Sequence, residues 1–298
     1  MSMTRREALR ELTAVPLAGH ALARQPAPES ELIVCGWDEV FILALGEGAA
    51  HRRVWSWRAA DSPEIADDLR PLFRTTDDCK PIDGGRRILI SSSGGAVALV
   101  DRATRRASFV ARVTNAHSIE RLPGGRIAAA ASVSTAASGN RIVIFDPAGK
   151  ELASDELRSA HGVVWDESRA VLWALGGDVL RAYAVGAPGG STTLDRRFEI
   201  PLPDRGGHDL VALLNSPRLF VSTEQRCFHF DRDRRQFSPH ETLGDRSHVK
   251  SYNVHPTTGR VVYVQAEGKN WWAEQLHFAQ PDGTLRLPGE HLYKARWV

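Results

Sequence analysis

Residues 115–157 read NAHSIERLPGGRIAAAASVSTAASGNRIVIFDPAGKELASDEL, a stretch in which four short runs rich in apolar residues are separated by turns. The runs predict strands over Ser118–Leu122, Arg126–Ala131, Arg141–Asp146 and Glu151–Leu157, because the intervening Pro-Gly-Gly, Gly-Asn and Pro-Ala-Gly sequences are typical of tight turns. Four antiparallel strands joined in this way make one blade of a β-propeller. The stretch therefore predicts a propeller blade.

The same pattern returns along the chain and is marked by a histidine near the start of three units. His117, His161 and His208 lie about 44 and 47 residues apart, which matches the period of about 40–50 residues of a four-stranded blade. Further blades are predicted from Lys80 to Arg112 and from Lys250 to Arg286. Five complete blades are expected from this repeat.

The two ends of the chain predict the sixth blade. Glu31–Cys35, Glu39–Leu45 and Arg52–Trp57 predict three strands without an innermost partner, and Tyr293–Trp297 predicts one isolated strand. Pairing of the last strand with the first would remove an exposed sheet edge. The sequence thus predicts an all-β fold, a six-bladed β-propeller closed by pairing of the C-terminal strand with the N-terminal blade. A helical excursion is expected over Ala59–Asp78.

The first 30 residues are predicted to lie outside the propeller, which is assigned to residues 31–298. Arg5 and Arg6 precede the modestly apolar stretch Leu12–Ala23, and this arrangement resembles a twin-arginine export signal followed by a spacer. A periplasmic or secreted location is expected. Pro16 and His20 interrupt the apolar stretch, so a cytoplasmic location is the alternative. No segment approaches the ~20 apolar residues of a membrane span, and stable membrane insertion is not expected.

Composition excludes several classes of function. The net charge is +2 with acidic and basic residues interleaved, which argues against nucleic-acid binding. The glycine pairs fall at strand turns and lack the strand-to-helix context of a phosphate loop, so no nucleotide cofactor is expected. Cys35, Cys79 and Cys227 are too far apart for a disulfide framework and predict buried thiols. A monomer is expected.

The three repeated histidines are the main candidates for a functional site. Equivalent positions of a repeat converge in space, so His117, His161 and His208 should meet at the mouth where the innermost strands begin. Imidazole suits a divalent cation such as Mn²⁺ or Zn²⁺, and three histidines would leave a coordination position open for substrate. The same imidazoles could instead bind an anion, act directly in catalysis, or form hydrogen bonds to the neighbouring blades.

The other candidates are expected at the same mouth. His248 and Lys250 join the three histidines as candidate catalytic residues, and Trp271 in the loop 265–274 resembles a sugar-binding lip that Trp37 could oppose. At the position of the histidines, the remaining blades are expected to offer Asp78, Cys79 or Lys80, then Lys250, and finally Lys294 or Arg296. The candidate substrate-binding residues are Trp37, Asp38, Asp78, Lys80, Glu224, Gln265, Glu267, Lys269, Asn270, Trp271 and Arg296.

Over residues 31–298 the chain resembles a family of exported bacterial six-bladed propellers of uncertain function. The motifs that carry the resemblance are Cys35–Asp38, Asn115–Ser118, Ala160–Val163 and Gly207–Asp209. A looser similarity in architecture and histidine use links the chain to oligogalacturonate and ulvan lyases. That similarity implies a substrate that is a uronate-containing oligosaccharide or polysaccharide.

The chemistry of the mouth is compatible with such a reaction. β-Elimination requires neutralisation of the uronate carboxylate, which a metal or the cations Lys80 and Lys250 could provide, and a base, for which His248 is a candidate. A polysaccharide lyase is therefore the expected function. Two alternatives stay open, a non-catalytic propeller that binds a glycan or another ligand, and a glycoside hydrolase. The hydrolase would draw its acid and base from Asp38, Asp78, Glu224 and Glu267.

Overall fold

The computed structural model describes residues 30–46 and 50–298, and the predicted export signal lies outside this part of the chain. The described residues form 24 strands in six four-stranded antiparallel sheets, with short 3-10 helices at Ala59–Asp61, Arg70–Phe73 and Pro123–Gly125. The strands are β1 (Ser30–Gly36), β2 (Glu39–Leu45), β3 (His51–Trp57), β4 (Thr76–Ile82), β5 (Arg87–Ser92), β6 (Ala96–Asp101), β7 (Ala107–Arg112), β8 (Ala116–Arg121), β9 (Ile127–Ala131), β10 (Arg141–Phe145), β11 (Glu151–Glu156), β12 (Gly162–Asp166), β13 (Val171–Leu175), β14 (Val179–Val185), β15 (Leu194–Pro201), β16 (Asp209–Ala212), β17 (Arg218–Ser222), β18 (Cys227–Asp231), β19 (Gln236–Pro239), β20 (Val249–Val254), β21 (Val261–Gln265), β22 (Gln275–Ala279), β23 (Gly283–Arg286) and β24 (Lys294–Trp297).

Each sheet is one blade of a six-bladed propeller, which confirms the predicted fold. Blade 1 has the order β24-β1-β2-β3, and blades 2 to 6 take four consecutive strands each, from β4 to β23. The C-terminal strand pairs antiparallel with β1, from Leu32 opposite Trp297 to Cys35 opposite Lys294. The innermost strands β24, β4, β8, β12, β16 and β20 contact one another in a closed ring around the axis. Closure by the two chain ends leaves no innermost strand without a partner.

The predicted helical excursion over Ala59–Asp78 is wrong for most of the segment. Only two 3-10 turns form there, at Ala59–Asp61 and Arg70–Phe73. The last residues of the segment, from Thr76 on, belong to strand β4. Pro63 and Pro71 lack the N–H groups that a continuous helix needs. Along the described parts of the chain no helix is long and apolar enough to cross a membrane.

Apolar side chains on both faces of each sheet hold the blades together. In β1, Leu32 and Val34 face blade 6, whereas Ile33 and Cys35 face blade 2, as the period of two along a strand requires. Six such clusters fill the six interfaces between neighbouring blades. The outermost strands are more exposed, for example β15. All three cysteines are buried free thiols, as the sequence predicts.

A buried ion cluster lies among the innermost strands and ties the C-terminal strand to blades 2 and 5. Asp209 accepts hydrogen bonds from the two terminal nitrogens of the Arg296 guanidinium at 2.6 and 2.9 Å, and its carboxylate lies 3.1 Å from Nζ of Lys294. Asp78 lies 3.3 Å from Arg296 and 3.9 Å from Lys294. Ser118 donates to Asp78 at 2.8 Å. Lys80 also lies 3.8 Å from Asp78 and 3.2 Å from Glu120. Three carboxylates and three cations thus balance inside the channel, where unpaired charges would be strongly unfavourable.

Candidate functional site

Six side chains surround the mouth of the channel, one at the start of each innermost strand. We call this set the mouth ring, and its members, from blade 1 to blade 6, are Tyr293, Asp77, His117, His161, His208 and Lys250. Three of them, Asp77, His117 and Lys250, are residues that the pairing register skips. In the other three blades, the backbone N–H of the ring residue donates to a residue of the second strand. The next residue of the innermost strand pairs with that same residue. In every blade, therefore, two consecutive residues oppose one, as in a β-bulge, and bulges redirect side chains beside functional sites.

The mouth ring brings together the three repeated histidines that the sequence singles out. The ring centroids of His117 and His161 are 4.3 Å apart, and those of His161 and His208 are 5.5 Å apart. Tyr293 lies 6.2 Å from His117, centroid to centroid. Lys250 closes the other side, with Nζ 2.9 Å from Nε2 of His208. The repeat therefore places aromatic, cationic and imidazole groups next to one another.

Hydrogen bonds fix the tautomers of His117 and His161. Nδ1 of His117 lies 3.0 Å from the carbonyl oxygen of Asn115, and Nδ1 of His161 lies 2.9 Å from that of Ser159. A carbonyl oxygen only accepts, so each Nδ1 carries the proton and each Nε2 keeps a lone pair. Burial lowers the pKa of His117 to about 4 and holds the pKa of His161 well below its usual value. Both imidazoles are neutral at pH 7.

His208 belongs to a network of four titratable groups. Its Nε2 lies 2.9 Å from both Nζ of Lys250 and Oε2 of Glu224, and Oε1 of Glu224 lies 3.0 Å from Nδ1 of His248. One nitrogen cannot accept from Lys250 and donate to Glu224 at once, so the network holds its protons in one of two arrangements. Burial lowers the pKa of His208 to about 4 and also lowers that of Lys250. The hydrogen bond from His208 lowers the pKa of Glu224 to about 2.

Asp77 and Tyr293 are the two members of the mouth ring that sequence reasoning missed. Oδ1 of Asp77 lies 3.8 Å from Nε2 of His117, and Oδ2 accepts the backbone N–H of Ser93. Burial raises the pKa of Asp77 to about 7 and raises that of Tyr293 well above its usual value. The sequence was expected to offer Asp78, Cys79 or Lys80 at this position in blade 2, and Lys294 or Arg296 in blade 1. All five lie further along the innermost strands. Blades 1 and 2 have no histidine at this position, so the repeat that marks it in blades 3 to 5 does not extend to them.

Trp37, Trp271 and Trp272 lie at the mouth on the side formed by blades 1 and 6. Trp37 stacks on Trp271 with centroids 5.3 Å apart, and Trp271 contacts Tyr293 edge-on at 5.6 Å. The prediction that Trp37 opposes Trp271 across the mouth is wrong, because the close approach of blades 1 and 6 stacks the two side chains on each other. Together with Trp272 and His291 they form an aromatic cluster that adjoins the mouth ring at Tyr293.

Three of the predicted substrate-binding residues lie in the channel among the innermost strands rather than in the mouth ring. Asp78 and Arg296 are buried and form ion pairs with each other and with the other residues of the ion cluster. Lys80 donates to the carbonyl oxygen of Val163 at 2.6 Å and to Glu120 at 3.2 Å. All three side chains therefore form contacts within the channel and are not free to bind a substrate at the mouth.

The remaining predicted substrate-binding residues lie at the mouth, in loops or, for Gln265, at the end of β21. Asp38 is exposed and lies 3.8 Å from Arg58, and Gln265 donates to a backbone carbonyl of the preceding loop at 2.9 Å. Lys269 and Asn270 are exposed, whereas Oε1 of Glu267 is buried without a hydrogen-bond partner. Among the predicted hydrolase carboxylates, Asp78 and Glu224 have lowered pKa values, so neither holds the proton that a general acid donates near neutral pH.

One histidine and glutamate group in the described residues has three ligand atoms within 4.8 Å of one another, and it could hold a metal ion by spacing. The group is His229, His240 and Glu241, and it contains none of the mouth histidines. The backbone N–H groups of Thr242 and Leu243 both donate to Nδ1 of His240 at 3.1 Å. A metal-bound histidine normally donates from its second nitrogen. These hydrogen bonds therefore oppose coordination through Nε2 of His240.

Comparison with known proteins supports the fold and carries no named activity. The chain is similar to a structure of a protein of unknown function from Bacteroides caccae, with a TM-score of 0.59 and 11% identity, covering 91% of this chain and 99% of that one. No curated relative matches the sequence. A family model described as a family of unknown function, DUF6528, matches residues 28–298. A match over the whole propeller shows that the chain belongs to the DUF6528 family.

Proposed function

We propose that the mouth ring binds a uronate residue of an acidic glycan and cleaves the chain by β-elimination. The observation that carries the proposal is the convergence of one cation, neutral imidazoles and a carboxylate beside exposed tryptophans. Elimination at a uronate requires a positive group for the carboxylate, a base for the proton on the adjacent carbon, and a polar group at the leaving oxygen. The mouth ring contains a side chain for each requirement.

Lys250 is the group that pairs with the uronate carboxylate. The other cations of the channel already have carboxylate partners. Lys294 and Arg296 lie beside Asp78 and Asp209. Lys80 lies 3.2 Å from Glu120. Lys250 contacts the uncharged imidazole of His208, and its nearby carboxylate, Glu224, is shared with His248. Binding of a carboxylate at Lys250 neutralises the substrate and so makes its neighbouring carbon a stronger acid.

Asp77 is the group in the mouth ring best placed to take the proton. It lies beside His117, outside the ion pairs that occupy Asp78, and His117 and His208 are weak bases because burial lowers their pKa values to about 4. In the reaction Asp77 takes the proton, the electrons of that C–H bond form the C=C bond, and the C–O bond to the leaving sugar breaks. The Tyr293 hydroxyl donates its proton to the leaving oxygen. Asp77 then releases its proton to water and Tyr293 takes one from water, so that both groups return to their starting states.

A divalent cation would use the lone pairs that the hydrogen bonds leave on Nε2 of His117 and His161. The geometry fits the general rule that a ligating histidine donates its other N–H to a carbonyl oxygen. Bound Mn²⁺ or Zn²⁺ would add positive charge for the carboxylate. The third predicted ligand, His208, has Nε2 next to Lys250 and Glu224, so we assign it to the proton network.

The test combines a glycan panel with elemental analysis of the purified protein. Pectin, alginate, chondroitin, ulvan and a neutral glucan are incubated with wild type, and products are followed by the absorbance of unsaturated uronates and by mass. We expect absorbance from at least one uronate polymer and none from the glucan. Lys250→Met should abolish it, whereas Lys150→Met, which changes an exposed lysine in the turn between β10 and β11, should not. New reducing ends without absorbance would replace elimination with hydrolysis, and binding without products would leave a glycan-binding propeller.

A further inference from the structure

The backbone conformation of blades 1 and 6 holds the aromatic cluster beside the mouth ring in place. Trp37 is held between two rings, stacking on Trp271 on one side and on His291 at 4.2 Å on the other. Its φ of 51° lies in the left-handed region that a bulky residue rarely adopts. A Cβ on Gly36 would lie 1.7 Å from the carbonyl oxygen of His291. Only glycine at that position allows blade 1 to approach blade 6 so closely.

The aromatic cluster supports one face of the Trp271 indole and leaves the rest of this side chain exposed to solvent. Trp37 packs on one face of Trp271, yet 41% of Trp271 remains accessible to solvent. A rigidly supported, exposed indole beside a polar site is typical of a ligand contact. The negative face of an aromatic ring attracts the C–H groups on the apolar face of a pyranose.

The cluster continues directly into the mouth ring. Trp271 lies 5.6 Å from Tyr293, and Tyr293 lies 6.2 Å from His117, measured between ring centroids. Each step is comparable to the length of one sugar unit. A sugar on Trp271 would therefore neighbour a sugar held at the mouth ring.

We propose that the exposed face of Trp271 is a second sugar subsite, so that the ligand is an oligosaccharide with its uronate at the mouth ring and the adjoining pyranose on Trp271. Trp37 acts as a positioning residue that fixes the indole. This inference rests on the proposed function and deepens it, because it sets a minimum ligand of two sugars.

The experiment measures affinity as a function of chain length by calorimetry. The probes are galacturonic acid, its 1,4-linked dimer and trimer, and the corresponding alginate and unsaturated chondroitin oligosaccharides. The variants are Trp271→Ala, Trp271→Phe, Lys250→Met and, as a control, Leu214→Ala. Leu214 is 66% exposed and lies in the β16–β17 turn at the opposite face. Thermal melting checks that each variant is folded.

We expect Trp271→Ala to weaken binding of the dimer and trimer about tenfold while leaving the monosaccharide unchanged, a loss in the range for one aromatic contact. Trp271→Phe should retain part of the gain, and Leu214→Ala all of it. Unchanged oligosaccharide binding in Trp271→Ala would overturn the subsite, as would equal weakening of the monosaccharide. If Trp271→Ala weakens binding while Lys250→Met does not, the subsite stands and the uronate site fails. If no oligosaccharide binds wild type, both fail.

Discussion

Asp209→Asn should destabilise the propeller strongly, because Asp209 neutralises two buried cations on the closing strand. The carboxylate binds Arg296 at 2.6 and 2.9 Å and Lys294 at 3.1 Å, and all three side chains are buried. These cations lower the pKa of Asp209 to about 2 against the opposing effect of burial. A lowering of this size from the ordinary value corresponds to about 2–3 kcal/mol in favour of the charged form. The neutral amide also leaves both cations facing Asp78 alone.

We therefore expect a loss of about 3–5 kcal/mol in the free energy of unfolding, the range for removing one partner of a buried ion pair. The assay is guanidinium unfolding at pH 7, followed by tryptophan fluorescence and circular dichroism. Asp245→Asn is the matched control, since Asp245 is an exposed residue whose contact with Arg226 is on the surface, and it should leave the unfolding midpoint unchanged. A loss below about 1 kcal/mol in Asp209→Asn would refute the view that this cluster holds the closing strand.

Three further predictions concern pH, catalysis and export. Burial depresses the pKa of His117 and His208 from 6.5 to about 4, so protonation of these imidazoles disfavours the folded state. The resulting loss of stability is absent above pH 6.5 and grows as pH falls towards 4. The pKa of Asp77 is raised to about 7, and this single group has the opposite effect, since its protonation favours the folded state. The melting temperature should therefore still fall as the pH is lowered from 6.5 to 4.5, and a flat profile would contradict the assignment. His117→Ala should abolish turnover while melting stays near wild type, and a large loss of stability with full activity would make this histidine structural. Arg5→Lys together with Arg6→Lys should keep the protein in the cytoplasm on cell fractionation, and unchanged export would exclude the twin-arginine signal.

The blades could be predicted from the sequence because their signals are local. Each hairpin carries its own turn residues, and the repeated histidines give the period of the blades directly. The closing strand was also predictable, since Tyr293–Trp297 had no neighbouring partner and β1 lacked an inner one. Strand boundaries were less accurate, and β4 begins at Thr76 rather than at Lys80.

The site could be predicted only in part because each innermost strand has one extra residue at its start. This residue changes which side chain of each blade lies at the mouth. The histidines converge as expected, but the bulge places Asp77 in the mouth ring and Asp78 inside the channel. The pairing of Asp78 with Arg296 joins residues 218 positions apart, and such contacts leave no local pattern. The stacking of Trp37 on Trp271 likewise depends on the closure of the ring between blades 1 and 6.

The most direct test of the uronate site is a thermodynamic cycle on binding. Calorimetry compares a uronate disaccharide that wild type binds with its carboxyl-reduced, neutral analogue, each measured on wild type and on Lys250→Met. A hydrogen bond between charged groups contributes about 1.5–3 kcal/mol, so the substitution should weaken the uronate about tenfold to hundredfold and leave the neutral analogue unchanged. Equal affinities of wild type and Lys250→Met for the uronate would contradict the assignment of the mouth ring as the carboxylate site.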